Sequence, residues 1–229
     1  MKFGLSLHPH YPALLARLLK QDPPTKFLDL GTCLGQDLRK LVHDGVSPSV
    51  LYGSDYFSES EAAGNQLFRD ADTFQHRFIA ADLFDETEDS ALQKTKGEWD
   101  VINITMFLHM YDWPTQLHAC KRILTLSKRE KGSMVIGAQT GSIQAGEMHL
   151  KSPIVPEGQE STLFRHNLET LRQMWETVGL EEGLRLKVEV QYDEPQDREA
   201  TIREEQEEGK KKFFSGPEQR RLFFTVMIE

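Results

Sequence analysis

The sequence is poor in cysteine, in long apolar runs and in clustered basic residues. Two cysteines, Cys33 and Cys120, are far apart in the 229 residues, which excludes a disulfide framework and a cysteine-based zinc site, and no metal site is predicted. No apolar run approaches the length of a membrane span, and no signal-peptide segment begins the chain. The net charge of -9, without a long basic stripe, argues against nucleic acid as the main substrate. These absences predict a cytoplasmic protein that acts neither on nucleic acid nor in a membrane.

The composition is that of an ordinary globular protein. Hydrophobic residues make up 38% of the chain and charged residues 28%, enough for a core and too apolar for wholesale disorder. The length fits one α/β domain over 1–229. Within it, we expect an N-terminal arm and helix at 1–25 and a charged, solvated insertion at 193–220 between the last two strands.

One strand, a glycine turn and a helix form the most informative stretch. The apolar run Phe27–Leu30 predicts a buried parallel strand, and helical periodicity begins at Gln36. Between them, Gly31 and Gly35 permit a tight turn that a ligand can approach closely. Asp29, just before the turn, would repel a pyrophosphate but suits an ammonium group. The turn therefore predicts a nucleotide-type pocket, and an ordinary strand–helix connection is the alternative.

Acidic residues also follow the next two predicted strands. Asp55 ends the strand at 50–55, near the spacing at which an acid meets ribose hydroxyls in dinucleotide folds, and its alternative role is to cap the helix beginning near Ser58. The third strand and its exit cover 78–84, and Asp82 in this exit can accept from an adenine amino group, or it lies in a solvated loop. Together with Asp29, the series favours an adenosine-type ligand.

Alternation and helical periods predict the remaining elements. An extended arm or strand at 1–7 precedes helices at 13–20 and 59–68. Later come strands at 99–104, 133–138, 184–192 and 222–228, and helices at 114–126 and 168–178, the latter capped by Asn167. Since only a loop joins the last two strands, they should be antiparallel. The glycine- and proline-bearing stretch at 139–158 is expected to be a loop, and a candidate lid.

Five motifs together resemble a known family: FLDLGTCLGQDLRKL, LYGSDY, FIAADLFD, FLHMYDW and FRHN. The first resembles motif I of class I S-adenosylmethionine-dependent methyltransferases. The set, spread over nearly the whole chain, is similar to the fungal methyltransferases of meroterpenoid and polyketide biosynthetic clusters. The resemblance implies a Rossmann-like α/β fold with a seven-stranded, mostly parallel sheet, an antiparallel last strand and helices on both faces. It also implies methyl transfer from S-adenosylmethionine to a hydroxyl or carboxylate oxygen of a hydrophobic natural product, with S-adenosylhomocysteine as product.

The resemblance also assigns a set of cofactor-binding positions. Asp29 would lie near the amino-acid end of the cofactor, with Asp55 near the ribose and Asp82 near the adenine. The complete expected set is Asp29, Gly31, Cys33, Gly35, Gln36, Asp55, Tyr56, Asp82, Leu83 and Thr105.

The substrate would lie beyond the fourth strand, where the carboxyl ends of parallel strands face the ligand crevice. His109 is the predicted general base for a hydroxyl acceptor, and a hydrogen-bonded structural histidine is its alternative. Arg165, with His166, is expected to hold a polar or anionic group, or else to pair with the acidic surface. The aromatic strand exit forms either pocket wall or core. The expected substrate set is Met106, Phe107, Tyr111, Trp113, Gln139, Arg165 and His166.

Two departures from the family pattern keep other functions open. Family members usually carry a longer helical segment ahead of the part matching 2–12, so a lid over the cofactor would be missing or supplied otherwise. Residues 103–106 are bulkier than the small residues usual there. A methyltransferase-fold cyclase or isomerase acting without methyl transfer is therefore the main alternative, and a partner-dependent or non-catalytic subunit is a third. A homodimer is left open.

Overall fold

The structure is a computed structural model that describes residues 4–20, 22–74, 76–150, 152, 154–194 and 218–229. Its strands are β1 Phe27–Leu30, β2 Leu51–Asp55, β3 Arg77–Ala80, β4 Val101–Asn103, β5 Met134–Ser142, β6 Gly146–Leu150, β7 Ser161–Arg165, β8 Leu186–Tyr192 and β9 Gln219–Ile228. Its α-helices are α1 Tyr11–Leu18, α2 Gln36–His43, α3 Glu59–Phe68, α4 Trp113–Leu126 and α5 Leu168–Glu181. Short 3-10 turns lie at Leu5–Leu7, Pro48–Val50, Gln93–Thr95 and Leu108–Met110.

Seven strands form the main sheet in the order β3-β2-β1-β4-β5-β9-β8, and β6 and β7 form a separate antiparallel pair. The first five strands of that order are parallel, whereas β9 is antiparallel to both β5 and β8. The expected seven-stranded sheet with an antiparallel last strand is therefore confirmed. Parallel strands end at the same edge, so the loops after β1, β2, β3 and β4 converge there.

Two apolar layers cover the sheet. On one face, Trp99 and Ile102 pack with Ile123 of α4 and Trp175 of α5. On the other face, side chains of α1 and α2 pack against the sheet with the first residues of the chain. Each large apolar side chain buried completely contributes about 1.5–3 kcal/mol. These layers hold the strand ends of the candidate site on a rigid platform.

The structure corrects two expectations. The arm at 1–7 has a 3-10 turn at Leu5–Leu7 in its described part, and the Leu5 amide donates to Asp37 Oδ1 at 3.2 Å. The stretch at 139–158 is not a loop. Strand β5 continues to Ser142 because its pairing with β9 continues to Gln219, and Gly146–Leu150 then pairs residue for residue with Ser161–Arg165. The candidate lid is thus largely strand.

Other boundaries agree or shift slightly. Asn167 caps α5 as expected, and Thr170 completes a capping box. Helix α4 begins at Trp113, one residue earlier than the sequence pattern predicts, with the Asp112 side chain as its cap. Most of the predicted charged insertion, 195–217, lies outside the described residues. Among the described helices, none is long and apolar enough to cross a membrane.

Candidate cofactor and substrate site

The turn after β1 bends through three residues in the left-handed region. Gly31, Cys33 and Gly35 have φ angles of 75°, 50° and 68°. The amides of Gly31 and Thr32 both donate to the Ser54 carbonyl, at 2.8 and 3.0 Å, which fastens the turn to the end of β2. Cys33, a non-glycine residue in this region, is a strained position of the kind that ligand-binding turns retain.

Asp55 is tied to the same turn. Its Oδ2 accepts from the Cys33 amide at 2.8 Å, and its Oδ1 accepts from the Phe57 amide at 3.1 Å. Ser58, not Asp55, is the N-cap residue of α3, so the structure does not support the capping alternative. Each carboxylate oxygen accepts more than one hydrogen bond. Asp55 is therefore positioned beside the glycine turn with capacity for hydroxyl donors.

Asp29 is buried beneath the turn. Its two oxygens accept from Asn103 Nδ2 at 2.6 Å and from Thr32 Oγ1 at 2.7 Å. Burial, then the nearby Asp37 carboxylate, raises the pKa of Asp29 to about 7. The neutral donors lower this pKa, but no described base neutralises the charge. Because a buried carboxylate needs a compensating partner, this position suits an arriving cation.

Asp37 is a buried acid that the sequence analysis did not single out. It lies in the first turn of α2, binds the Leu5 amide, and has a pKa raised to about 6 by burial. Its position directly after the glycine turn is the sequence feature that could have identified it as a site residue. It ties the first described residues of the chain to the candidate cofactor site.

The other expected cofactor residues surround the same sheet edge. Asp82 Oδ1 accepts from the Phe84 amide at 2.9 Å, and the carbonyl of the buried Leu83 accepts from Arg122 Nε. Thr105 donates to Asn103 Oδ1 at 2.9 Å. Tyr56 is 68% exposed, and Gln36 is the half-buried first residue of α2. The structure brings these strand-end residues to one edge of the sheet, as expected.

Phe107 lies over the glycine turn. A Cβ atom added at Gly31 would be 2.8 Å from Phe107 Cδ2, so only glycine permits this approach. Met106, just before, has a φ of 58°, and its amide donates to the Ala138 carbonyl at 2.6 Å. Phe107 also contacts Tyr111, with ring centroids 5.6 Å apart. These two rings therefore lie on the cofactor side of the site.

Trp113, His166 and Gln139 lie deeper than the sequence analysis expected. Trp113 packs against Phe164 and His166, with ring centroids 4.7 and 5.0 Å apart. The fully buried His166 contacts Gln116 Oε1 and Thr170 Oγ1, both at 3.1 Å, and burial lowers its pKa to about 4. Gln139 is fully buried too, and its amide atoms have no partner among the described residues. These three residues therefore support the site from within the protein.

Arg165 and His109 form the polar part of the substrate side. Arg165 is 6% exposed, and its Nη1 donates to the His109 carbonyl at 2.8 Å. No described acidic residue forms an ion pair with it, so the structure does not support the alternative of surface pairing. Burial lowers the pKa of Arg165 to about 10 and, with the charges of Arg165 and Arg221, lowers that of His109 to about 4. His109 Nδ1 is buried without a described partner.

The arrangement therefore joins a strained glycine turn, three strand-end acids and a buried arginine along one sheet edge. Among the described residues, no group of three or more acidic, histidine or cysteine side chains could hold a metal ion. Chemically, such an arrangement can accept hydrogen bonds or hold a cation at the acids, and can donate to an anion at the arginine.

Comparison with solved structures defines the class by fold. A S-adenosylmethionine-dependent methyltransferase from Mesorhizobium loti has a TM-score of 0.59 at 17% identity, over 98% of this chain and 100% of that one. The [4+2]-cyclase SpnF has a TM-score of 0.57 at 12% identity, over 94% of this chain and 79% of that one. The fold is that of class I S-adenosylmethionine-dependent methyltransferases.

Sequence relatives define the family. No family model matches the sequence. O-methyltransferase phiE of a fungal species is 36% identical over 190 residues, covering 83% of this chain and 60% of the relative. O-methyltransferase atr3 of Stereocaulon alpinum is 37% identical, covering 84% and 54%. Methyltransferase ausD of Aspergillus calidoustus is 30% identical, covering 86% and 67%.

The chain belongs to this family of fungal methyltransferases, as its five motifs predicted. It spans 54 to 67% of the length of these three relatives.

Proposed function

We propose that the chain is an S-adenosylmethionine-dependent methyltransferase that methylates a carboxylate oxygen of a hydrophobic small molecule. The residues present fit the cofactor: the buried Asp29 carboxylate, without a described basic partner, suits its ammonium group. Asp55, held against the turn by the Cys33 amide, suits the ribose hydroxyls. The bound cofactor supplies a methyl group already activated on a sulfonium, so the protein has to orient the acceptor and exclude water.

The choice of a carboxylate as acceptor rests on one observation: Arg165 is buried beside His109 and forms no ion pair with a described acidic residue. A hydroxyl acceptor needs a base, and a phenol has a pKa of about 10. His109, with a pKa near 4, is poorly matched to remove such a proton. A carboxylate needs no base, only a cation to hold it, and an arginine guanidinium binds carboxylates in a two-pronged geometry.

The remainder of the acceptor is proposed to be apolar. Met106 and Met110 follow β4 with exposed side chains, and the exposed Ile143 follows β5. The ring of Phe107 lies against Gly31 of the glycine turn and contacts the ring of Tyr111. Apolar side chains around one charged anchor are typical of sites for small hydrophobic acids.

Binding of S-adenosylhomocysteine, followed by calorimetry, tests the cofactor assignment. Asp55→Ala should weaken binding by about 1–3 kcal/mol, because charge-assisted hydrogen bonds are lost. Asp85→Ala is the control, since the described hydrogen bonds of the Asp85 side chain are both to Thr87. No binding of millimolar ligand by the folded wild-type protein would refute the cofactor assignment.

Product mass separates methyl transfer from the cyclase or isomerase alternative. The likeness to a [4+2]-cyclase shows only the shared fold, whereas the sequence relatives are named methyltransferases. We expect an aromatic carboxylic acid incubated with protein and cofactor to gain the mass of one CH2 as a methyl ester. A converted substrate of unchanged mass would favour the alternative, and methylation at a hydroxyl instead would refute the carboxylate assignment.

A further inference from the structure

Arg221 of β9, near the far end of the chain, pairs with the end of β5 next to the candidate site. Its partner in the sheet is Thr140 of β5. Two residues to one side of Thr140, the Ala138 carbonyl binds the Met106 amide, and two residues to the other side, the Ser142 amide donates to the His166 carbonyl. The end of β5 thus links Arg221 to the two segments that carry His109 and Arg165.

The neighbouring Arg220, on the same strand, has hydrogen-bond and ion-pair partners for its guanidinium group. Arg220 Nε lies 2.9 Å from Asp193 Oδ1, its Nη2 donates to the Asp193 carbonyl at 2.6 Å, and it covers the Tyr192 ring at 4.8 Å. None of these contacts involves His109 or Arg165. Arg220 and Arg221 therefore carry the same charge one residue apart but face different surroundings.

Arg221 has no comparable partner among the described residues. Its guanidinium lies 5.9 Å from the Phe223 ring centroid, and neither a hydrogen bond nor an ion pair to it is present within the described part of the chain. Asp37 and Asp193 act on it only as more distant charges, and burial lowers its pKa. A guanidinium has five N–H donors, so leaving it half-buried without acceptors is unfavourable.

Two under-satisfied arginines, on β7 and β9, thus lie on segments that the end of β5 joins to the segment of His109. Arg165 uses one N–H on the His109 carbonyl, and the charges of both Arg165 and Arg221 act on the His109 ring. The buried His109 Nδ1 also lacks a described partner. Positive charge without a paired carboxylate, in a partly desolvated place, is the electrostatic complement of an anion.

We propose that Arg221 is a second substrate-positioning residue, which binds the anionic group of the acceptor together with Arg165 at His109. This assignment rests on the proposed function and adds a physical reason why the site selects anionic substrates. An uncharged substrate would leave the buried Arg165 and the half-buried Arg221 unpaired, so the site should discriminate strongly between an acid and its isosteric amide. Arg221 should act on substrate affinity and KM, with little effect on cofactor affinity.

The experiment compares 2-naphthoate with the uncharged 2-naphthamide on protein saturated with S-adenosylhomocysteine, by calorimetry. Wild-type protein should prefer the acid by at least about tenfold. Arg221→Gln should weaken 2-naphthoate binding by about 10–100-fold, the scale of lost charge-assisted bonds. Binding of 2-naphthamide should change less than about threefold. Arg220→Gln, the matched control, removes the same charge from the same strand and should leave both affinities near the wild-type values.

Arg221→Lys keeps the charge but loses the two-pronged geometry, so it should weaken acid binding less than Arg221→Gln does. It also serves as the test variant if Arg221→Gln does not fold, and an unchanged acid affinity in it would contradict the proposal. Equal losses in Arg221→Gln and Arg220→Gln, equal losses of acid and amide, or no acid preference in wild-type protein would overturn it. Wild-type protein that binds the cofactor product and prefers the acid, yet methylates nothing, would instead refute the proposed function.

Discussion

The imidazole of His109 is poorly solvated, and this burial is the main reason its pKa falls to about 4. The ring therefore stays neutral over the pH range in which most enzymes work. With a carboxylate acceptor, His109→Gln should lower turnover by less than about tenfold, since general-base catalysis, worth about 10²–10⁴, is not being removed. The Arg165 bond to the backbone carbonyl of residue 109 survives this change.

The pH–rate profiles of wild type and His109→Gln are the measurement. Both should share an acidic limb set by ionisation of the substrate. A loss of turnover near the general-base scale, together with disappearance of that limb in the variant, would make His109 a base and the acceptor a hydroxyl.

Asp29 links cofactor affinity to pH. Its pKa of about 7 in the free protein means that it is partly protonated near neutral pH, and a bound ammonium group favours the ionised form. Affinity for S-adenosylhomocysteine should therefore fall as pH drops below 7, by up to about tenfold per unit, and binding near pH 7 should release protons.

Calorimetry in two buffers with different ionisation heats counts these protons. Asp29→Asn should bind more weakly, and its affinity should vary less with pH because the titrating group is gone. The nearby Asp37, whose pKa is raised to about 6 by burial, still titrates in the variant and leaves some dependence on pH. Wild-type affinity that stays constant between pH 5.5 and 8 would contradict this role of Asp29.

Residues in local patterns were predictable, whereas residues that act through tertiary contacts were not. Asp29 and the two turn glycines belong to one contiguous motif, and Asp55 ends the next strand. Arg221 lies in an apolar strand near the end of the sequence, and only the pairing of β9 with β5 brings it to the site. His166 follows Arg165 directly, yet its ring is completely buried and contacts Gln116 and Thr170, which the local sequence does not reveal.

The strand–turn–helix element depends on the close approach of Phe107 to Gly31. Gly31→Ala should destabilise the protein for two reasons: a φ of 75° costs a residue with a Cβ about 1–2 kcal/mol, and the new Cβ meets the Phe107 ring. Gly132→Ala is the control, because Gly132 has a φ of 90° and open space around its Cβ position.

Urea denaturation of both variants separates the two effects. The extra loss in Gly31→Ala measures the steric contact, and combining it with Phe107→Ala should recover that part. Equal losses in the two glycine variants would show that Phe107 gives way easily.

At the level of elements, the sheet was more predictable than the β6–β7 pair. Strands β1 and β4 are buried at every residue and apolar apart from Asp29 and Asn103, a pattern that identifies buried parallel strands whatever their partners. By contrast, β6 alternates only between exposed and half-buried residues and begins with a glycine. Its strand character comes from pairing with β7, which begins eleven residues after β6 ends. Such pairing is set by tertiary context rather than by intrinsic preference.

Considered as a whole molecule, the chain has its first and last segments joined through His8. The ring Nε2 lies 3.1 Å from the Phe224 carbonyl of β9, and Nδ1 accepts from the His10 amide at 3.1 Å. This arrangement fits a neutral ring with its proton on Nε2, and burial lowers the pKa of His8 to about 4. Protonation would remove the acceptor and place a charge in the core.

Acid should therefore destabilise the fold through His8. The unfolded chain binds this proton near pH 6.5 but the folded chain only near pH 4, so stability present above pH 6.5 is lost as pH falls. The difference in free energy of unfolding between wild type and His8→Gln should shrink by about 3 kcal/mol over that interval. Parallel urea titrations at several pH values measure it, and a constant difference would mean that His8 does not titrate as described.

The position of β9 has a consequence for biosynthesis. This strand lies between β5 and β8 but follows both in the chain. Until it leaves the ribosome, the sheet is split, and the facing edges of β5 and β8 have no partner. Unpaired edges of apolar strands invite pairing with other chains. A nascent chain that stalls before Gln219 is therefore expected to need chaperone protection, whereas one released after Ile228 can close its own sheet.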